Sequence, residues 1–258
     1  MVALAERLEL LLSIYAKGER PSGSSDPYAL RRAGNGVLQI LWHHHWSLDL
    51  PAFLRRATAH WGALLPHFQV DASALAAELL DLLRQRLVSL LEEQGVDADL
   101  VQAVAGDTVA AERVLGDPAD ARQRADLLVA LRRSGELAAV QAVVTRAARL
   151  AEKGDLAPEV LAPDAVVDPA LFQTSSERAM LQVLEQLEPI ATGRGRERYR
   201  ELAEALAASA AALAAFFDGD QSVMVMVDDP ALRRNRLNLL AVLRNQAGVL
   251  ADFSRISG

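Results

Sequence analysis

FFDGDQSVMVMVDDPALRRNRLNLLAVLRNQAGVLADF, residues Phe216 to Phe253, is the stretch that decides the fold. It reads as the end of a helix, a short extended apolar run, a cap and a long helix. Val223-Met224-Val225-Met226-Val227 is too short for a helix of its own and is rich in β-branched residues. Asp229 has the short acceptor side chain of an N-cap, and Pro230 fits the first helical position, where its missing N–H costs nothing. From Leu232 onward, Leu239, Leu243 and Leu250 recur at helical spacing, with Leu240 and Ala247 beside them. At roughly 100° per residue, Arg236 projects into the middle of that stripe and Asn235 lies near its edge. Arg234 points away with Asn238 and Asn245, and Arg233 shares the boundary with Arg244. A charge on an apolar face is tolerated only when paired and hydrogen-bonded. Arg236 is therefore expected to be structural, with Asp218 as its partner. Arg233, Arg234 and Arg244 are left as candidates for an outside ligand.

Composition narrows the classes. The chain has 258 residues, about half of them apolar, enough for one large domain or two small ones. It has no cysteine, which removes disulfides, thiolate metal sites and thiol nucleophiles. This fits a reducing cytoplasm. No apolar run is long enough to span a bilayer. Met1 to Leu12 is apolar, but Glu6, Arg7 and Glu9 interrupt it, so no signal peptide is expected. The net charge of −7 argues against a general polyanion binder, so any nucleic-acid contact must come from a local basic patch. The cations are almost all arginine, and Lys17 and Lys153 are the only lysines. Arginine suits planar contacts to bases, phosphates and carboxylates.

The rest of the chain is helical in period. Leu4 to Tyr15 is an apolar helix, and Lys17 to Ser25 is a polar loop. Asp26-Pro27 is expected to start a helix carrying Leu30, Val37, Leu38 and Leu41, in which Gly34 and Gly36 allow close packing. His43-His44-His45-Trp46 reads as a helix end. Consecutive histidines do not share a helix face, so no metal site is expected there or with His60 and His67. Trp61 and Phe68 suggest a packed junction beside the last two. Helices follow over Asp71–Gln94, Asp97–Ala105, Asp117–Leu131 and Glu136–Glu152. Leu156 to Pro169, with its prolines, reads as a flexible surface loop. Ser175–Leu187 and Glu197–Phe217 are the next helices. Asp-Pro at 26, 117, 168 and 229 is helix-start punctuation. The expected fold is all-α, an array of about ten helices with no sheet.

Two separated stretches resemble one family. FFDGDQSVMVMVDDPALRRNRLNLL is similar to the end of the bacterial glycyl-tRNA synthetase β subunit, the close of its arginyl-tRNA-synthetase-like anticodon-binding domain. RPSGSSDPYALRRAGNGVLQIL, Arg20 to Leu41, resembles another signature of that subunit. LLRQRLVSLLEEQGVDADLVQAV and VDPALFQTSSERAMLQVL between them look like the family too. The resemblance covers nearly the whole chain, although the family's β subunit is much longer and only its C-terminal part is matched. It implies a remnant of a His-Asp-phosphohydrolase-like domain with linker helices over 1–66, connecting helices over 67–115, and a helical anticodon-binding domain over 116–258. The family often has Ala-Asp-Lys where this chain has Ala5-Glu6-Arg7, and the upstream histidines of such a domain are missing. No hydrolase activity is expected. The family commonly has a Lys-Arg pair and an Asn where this chain has Thr145-Arg146 and Arg149, so only Arg146 carries over.

No phosphate-cradling glycine loop, metal-ligand spacing or nucleophile–base set is found, so no catalytic residue is assigned. Glu92-Glu93 reads as a helix end and Asp228-Asp229 as a cap. What remains is recognition of RNA, whose unstacked loop bases are met by stacking and by edge hydrogen bonds. The candidates for tRNA contact are Arg146, Arg194, Arg196, Arg198, Arg200, Arg233, Arg234 and Arg244. The structural motif is Phe216, Phe217, Asp218, Met224, Met226, Asn235 and Arg236. The resemblance implies that tRNA for glycine and a glycyl-tRNA synthetase α subunit are the partners, with no DNA and no membrane. Glycine–tRNA ligase activity then belongs to the cytoplasmic holoenzyme. ATP and Mg serve the α subunit's adenylate chemistry, and this chain needs no cofactor of its own. A helical scaffold that binds only protein is the competing reading. The purified chain alone is expected to give no glycine-dependent ATP–pyrophosphate exchange, and measured exchange without an α subunit would contradict the assignment of the chemistry elsewhere.

Overall fold

The computed structural model describes residues 1–64 and 71–257, and the described residues form eleven α-helices and no strand. The β-pairing among the described residues is an isolated bridge between Ser22 and Ser25. The all-α expectation holds. The junction expected around His67 and Phe68 lies outside the described residues. The chain divides into two compact units, Met1–Ala125 and Asp126–Gly258, with the boundary inside one helix.

The first unit holds α1 (Val2–Ala16), α2 (Leu30–His43), α3 (Leu50–Leu64), α4 (Ala72–Glu93), α5 (Ala98–Ala105), α6 (Ala111–Gly116) and the start of α7 (Pro118–Ser134). The helix α4 is its hub and packs against α1, α2, α3, α5 and α6. Its N-cap is Asp71, whose carboxylate accepts from the Ser73 and Ala74 amides. A run of buried leucines, Leu79, Leu83, Leu87 and Leu91, keeps one face of α4 in the core. Gly34 lets α2 close on α4, since a Cβ there would meet the Arg86 side chain at 3.0 Å. Asp26 does not start α2 directly, as the sequence suggested. Residues 27–29 form a turn with Ala29 in the left-handed region. The Asp26 carboxylate reaches across it to the Leu30 and Arg31 amides at 2.7 and 3.0 Å. Past the end of α2, the His44 ring stacks on Trp46.

The second unit is built on α8 (Glu136–Ala151), α9 (Ser175–Thr192), α10 (Arg198–Ala215) and α11 (Pro230–Gly248). α11 packs on α8 and α9, and α10 packs on the same two helices from the other side. The four therefore close into a ring, each touching two neighbours. Asp229 caps α11 as expected, accepting from the Ala231 and Leu232 amides. The helix is not amphipathic in the way its leucines suggest. Thirteen of its residues are buried, among them Asn235, Asn238, Asn245 and Gln246.

Those amides explain a second departure. The proline-bearing segment from Leu156 to Asp168 is not a free loop but a strap laced across α11. Asn235 exchanges hydrogen bonds with the Asp168 backbone, donating to its carbonyl at 3.0 Å and accepting from its amide at 2.7 Å. Asn238 donates to the Val166 carbonyl, Asn245 to those of Ala157 and Val160, and Gln246 to that of Leu161. Irregular backbone near a core must find partners for its polar groups, and here side-chain amides supply them. Replacing Asn245 with Ala leaves the Val160 carbonyl without its donor, and the Ala157 carbonyl with only the Val160 amide at 3.2 Å. Urea melts are expected to show a loss of about 1–3 kcal/mol, the cost of unsatisfied polar groups, and no change would show the strap to be independent of the amides.

Candidate nucleic-acid interface

The arginines of the second unit sort into those that hold backbone and those that face outward. Arg236 is 4% exposed. Its Nε donates to Glu177 at 2.8 Å, one terminal nitrogen to the Met224 carbonyl at 2.9 Å and the other to the Gln173 side chain at 3.0 Å. Arg236 is buried and paired with a carboxylate, but not with the expected Asp218. The partner is Glu177, at the start of α9, and Asp218 pairs with Arg146 instead.

Glu177 is doubly used. One carboxylate oxygen accepts from the Gln173 and Thr174 amides at 2.7 and 2.9 Å, while Thr174 caps α9 in return. The other oxygen takes Arg236. Burial alone would raise this carboxyl's pKa, but the hydrogen bonds from Arg236, Gln173 and Thr174 outweigh it and hold the pKa below the ordinary glutamate value. A segment that carries exposed methionines is anchored by the same pair. Met224 and Met226 are exposed, Val225 between them is buried, and the Met224 carbonyl is held by Arg236.

Several predicted RNA contacts are engaged with the protein's own backbone. Arg233 donates to the Val227 carbonyl at 3.0 Å. Arg244 reaches the Leu156 carbonyl of the strap at 3.2 Å and its neighbour Asn245 at 3.0 Å. Burial lowers the Arg244 pKa, and nearby Glu152 opposes that in part. Arg198 bonds the Gly193 carbonyl and lies over the Tyr199 ring. Arg196 is half-buried, whereas Arg194 and Arg200 are exposed. Arg234 has a 71% exposed side chain, with Asp155 at 3.7 Å.

Arg146 lies on α8, with its guanidinium 4.6 Å from the centre of the Phe217 ring. It donates to both Asp218 oxygens at 2.8 and 2.9 Å. The structure therefore brings Arg146, Phe217 and Asp218 together, three residues named separately from the sequence. Beside them is an open cavity of about 660 Å³ between α8 and the C-terminal segment.

Sequence reasoning missed Glu177 and the amide face of α11. Thr174-Ser175-Ser176-Glu177 is a readable capping box, but nothing local says that its carboxylate also takes an arginine 59 residues away. Asn235, Asn238, Asn245 and Gln246 share one helix face, which marks that face as buried under backbone rather than under apolar side chains.

Comparison with known proteins points to one family. A family model described as glycyl-tRNA synthetase beta subunit matches residues 1–106. A protein of Acaryochloris marina named glycine–tRNA ligase beta subunit is 45% identical over 262 residues, covering 99% of this chain and 36% of its own length. The proteins of that name in Picosynechococcus and Acidithiobacillus ferrooxidans are 42% and 33% identical, covering 99% and 100% of this chain and 36% and 35% of themselves. The chain is thus similar along nearly its whole length to proteins named glycine–tRNA ligase beta subunit. It spans about a third of the length of the curated relatives it matches. Among the described residues no helix is long and apolar enough to cross a membrane.

The two arginines of the closing helix separate in a stability measurement. Arg236→Ala strands a buried carboxylate and is expected to cost on the order of 3–5 kcal/mol. Arg234→Ala is expected to stay within roughly 0.5 kcal/mol of the parent. Because the Glu177 pKa is depressed on folding, its contribution is present above an unfolded value of about 4.3 and is lost as pH falls through the lower folded value. Glu177→Gln is therefore expected to flatten the acid limb of stability against pH. Equal melts for Arg236→Ala and the parent would remove the pair from the fold's support.

Proposed function

We propose that this chain is a tRNA-binding portion of a glycyl-tRNA synthetase β subunit, with the second unit engaging the anticodon region of tRNA for glycine. The observation that carries the reading is similarity along 99% of the chain to proteins named glycine–tRNA ligase beta subunit. The chemistry of the second unit supports it. RNA loops are read by flat cations and aromatics rather than by overall charge, and this chain is acidic overall, with a net charge of −7. The second unit offers exposed arginines for such contacts, Arg146, Arg149, Arg194, Arg200 and Arg234 among them. In this reading glycine activation, with ATP and Mg, takes place in a partner α subunit. The chain uses no cofactor of its own, and the assembly works in the cytoplasm.

The acidic balance also suits a helical scaffold that binds protein alone, and one experiment separates the two. Binding of tRNA for glycine, measured by filter retention over a salt series, is expected to weaken steeply with salt, because phosphate contacts release counterions. Other tRNAs are expected to bind more weakly. Binding that is absent, or equal for all tRNAs, would favour the scaffold.

A further inference from the structure

The geometry points to a single-nucleotide pocket on α8, in which Arg146 is a stacking plate and Arg149 is the phosphate contact. The inference rests on the RNA-binding reading above and locates it. Three observations lead to it.

The first is the packing of Arg146. Phe217 covers one side of its guanidinium at 4.6 Å. Asp218 takes its hydrogens at 2.8 and 2.9 Å, and the Phe217 carbonyl lies at 3.4 Å. These contacts fix the plane of the group and compensate its charge. The side chain nevertheless stays 49% exposed. A flat, oriented, neutralised guanidinium with one side open is suited to stacking on a base. It is poorly suited to neutralising a phosphate, since Asp218 would have to be displaced or repelled.

The second is the cavity beside it, about 660 Å³, lined by Gln141, Thr145, Arg146, Arg149, Ser254 and Ile256 among others. That volume falls within the range of small-ligand sites. Its floor is fixed by two bonds from α8 to the C-terminal segment. Gln141 donates to the Ile256 carbonyl at 2.8 Å, and Thr145 to the Phe253 carbonyl at 3.1 Å. The wall is therefore built rather than loose. Gln141 and Ser254 are neutral and polar, and the Ser254 hydroxyl, which donates to Asp252 at 2.6 Å, keeps its oxygen as an acceptor for a base edge.

The third is Arg149, one turn beyond Arg146 on the same helix face. It is exposed, and among the described residues no hydrogen bond or ion pair engages it. The acids near the cavity are already committed, Asp218 to Arg146 and Asp252 to Arg255 at 3.8 Å and to the Ser254 amide. The uncompensated positive charge of the cavity is thus that of Arg149. A base and a phosphate of one unstacked RNA nucleotide are the chemistry that fits a neutral plate and a free cation one turn apart.

The division of roles is tested by salt dependence. Binding of tRNA for glycine is measured from about 50 to 200 mM salt for the chain, alone and with the glycyl-tRNA synthetase α subunit. Arg149→Gln is expected to weaken binding and to reduce the log–log slope by about 0.7, the loss of one single-strand phosphate contact. Arg146→Lys keeps the charge and loses the plane. It is expected to weaken binding about tenfold with the slope unchanged, and Phe217→Leu to do the same. Arg149 is exposed, so its variant is expected to melt with the parent. If the parent binds and none of the three variants changes affinity or slope, the pocket is wrong while the RNA-binding reading stands. A slope change in Arg146→Lys, or none in Arg149→Gln, overturns the division of roles. No binding by the parent, with or without the α subunit, overturns both.

Discussion

The buried ion pair between Arg236 and Glu177 is the contact on which the second unit depends. It joins the start of α9 to the start of α11, the two ends where helix amides and the intervening backbone most need partners. One carboxylate oxygen caps α9 and the other receives Arg236, while the same guanidinium holds the Met224 carbonyl. A single residue pair thus holds a helix start, a helix–helix contact and the backbone of the Val223–Val227 segment at Met224. Buried pairs contribute little against an apolar replacement but cost much when one member is lost. Its value here is in geometry: it determines where Phe217 and Asp218 lie, because the segment that follows them is anchored.

The closing helix extends this logic along its length. Its face beyond Arg236 is lined with amides rather than leucines, and those amides bind the carbonyls of the Leu156–Asp168 strap. Arg244 adds one further bond to the same strap. The consequence for function is that most of the polar side chains of α11 are already occupied. An RNA ligand would have to be met elsewhere, and α8 carries the oriented Arg146 and the unengaged Arg149.

Much of the fold was legible because helix punctuation is local. Asp229-Pro230 capped α11 and Asp71 capped α4 as their side chains required. The burial of Arg236 was legible too, from its angle within the leucine stripe. Its partner was not, because a carboxylate 59 residues away gives no periodic signal. Asp218 was a reasonable neighbour in sequence, but it lies at the end of α10, where Arg146 of the packed α8 reaches it first. The strap was misread for a related reason: prolines and no period describe a segment without helix equally well whether it is solvated or laced down. Asn238 and Asn245 looked outward-facing because the helical angle puts them opposite the leucine stripe, and nothing local shows that a strap covers that side. The pocket on α8 was invisible in sequence, since Gln141, Arg149 and Ser254 come together only through the packing of the C-terminal segment.

In the proposed reading, α11 holds the second unit together while α8 meets the RNA. Amide hydrogen exchange of the chain, with and without tRNA for glycine, tests that division directly. Binding is expected to slow exchange across residues 141–150 and around Phe217, and to leave residues 230–248 unchanged. Protection concentrated in 230–248, with 141–150 unaffected, would contradict it.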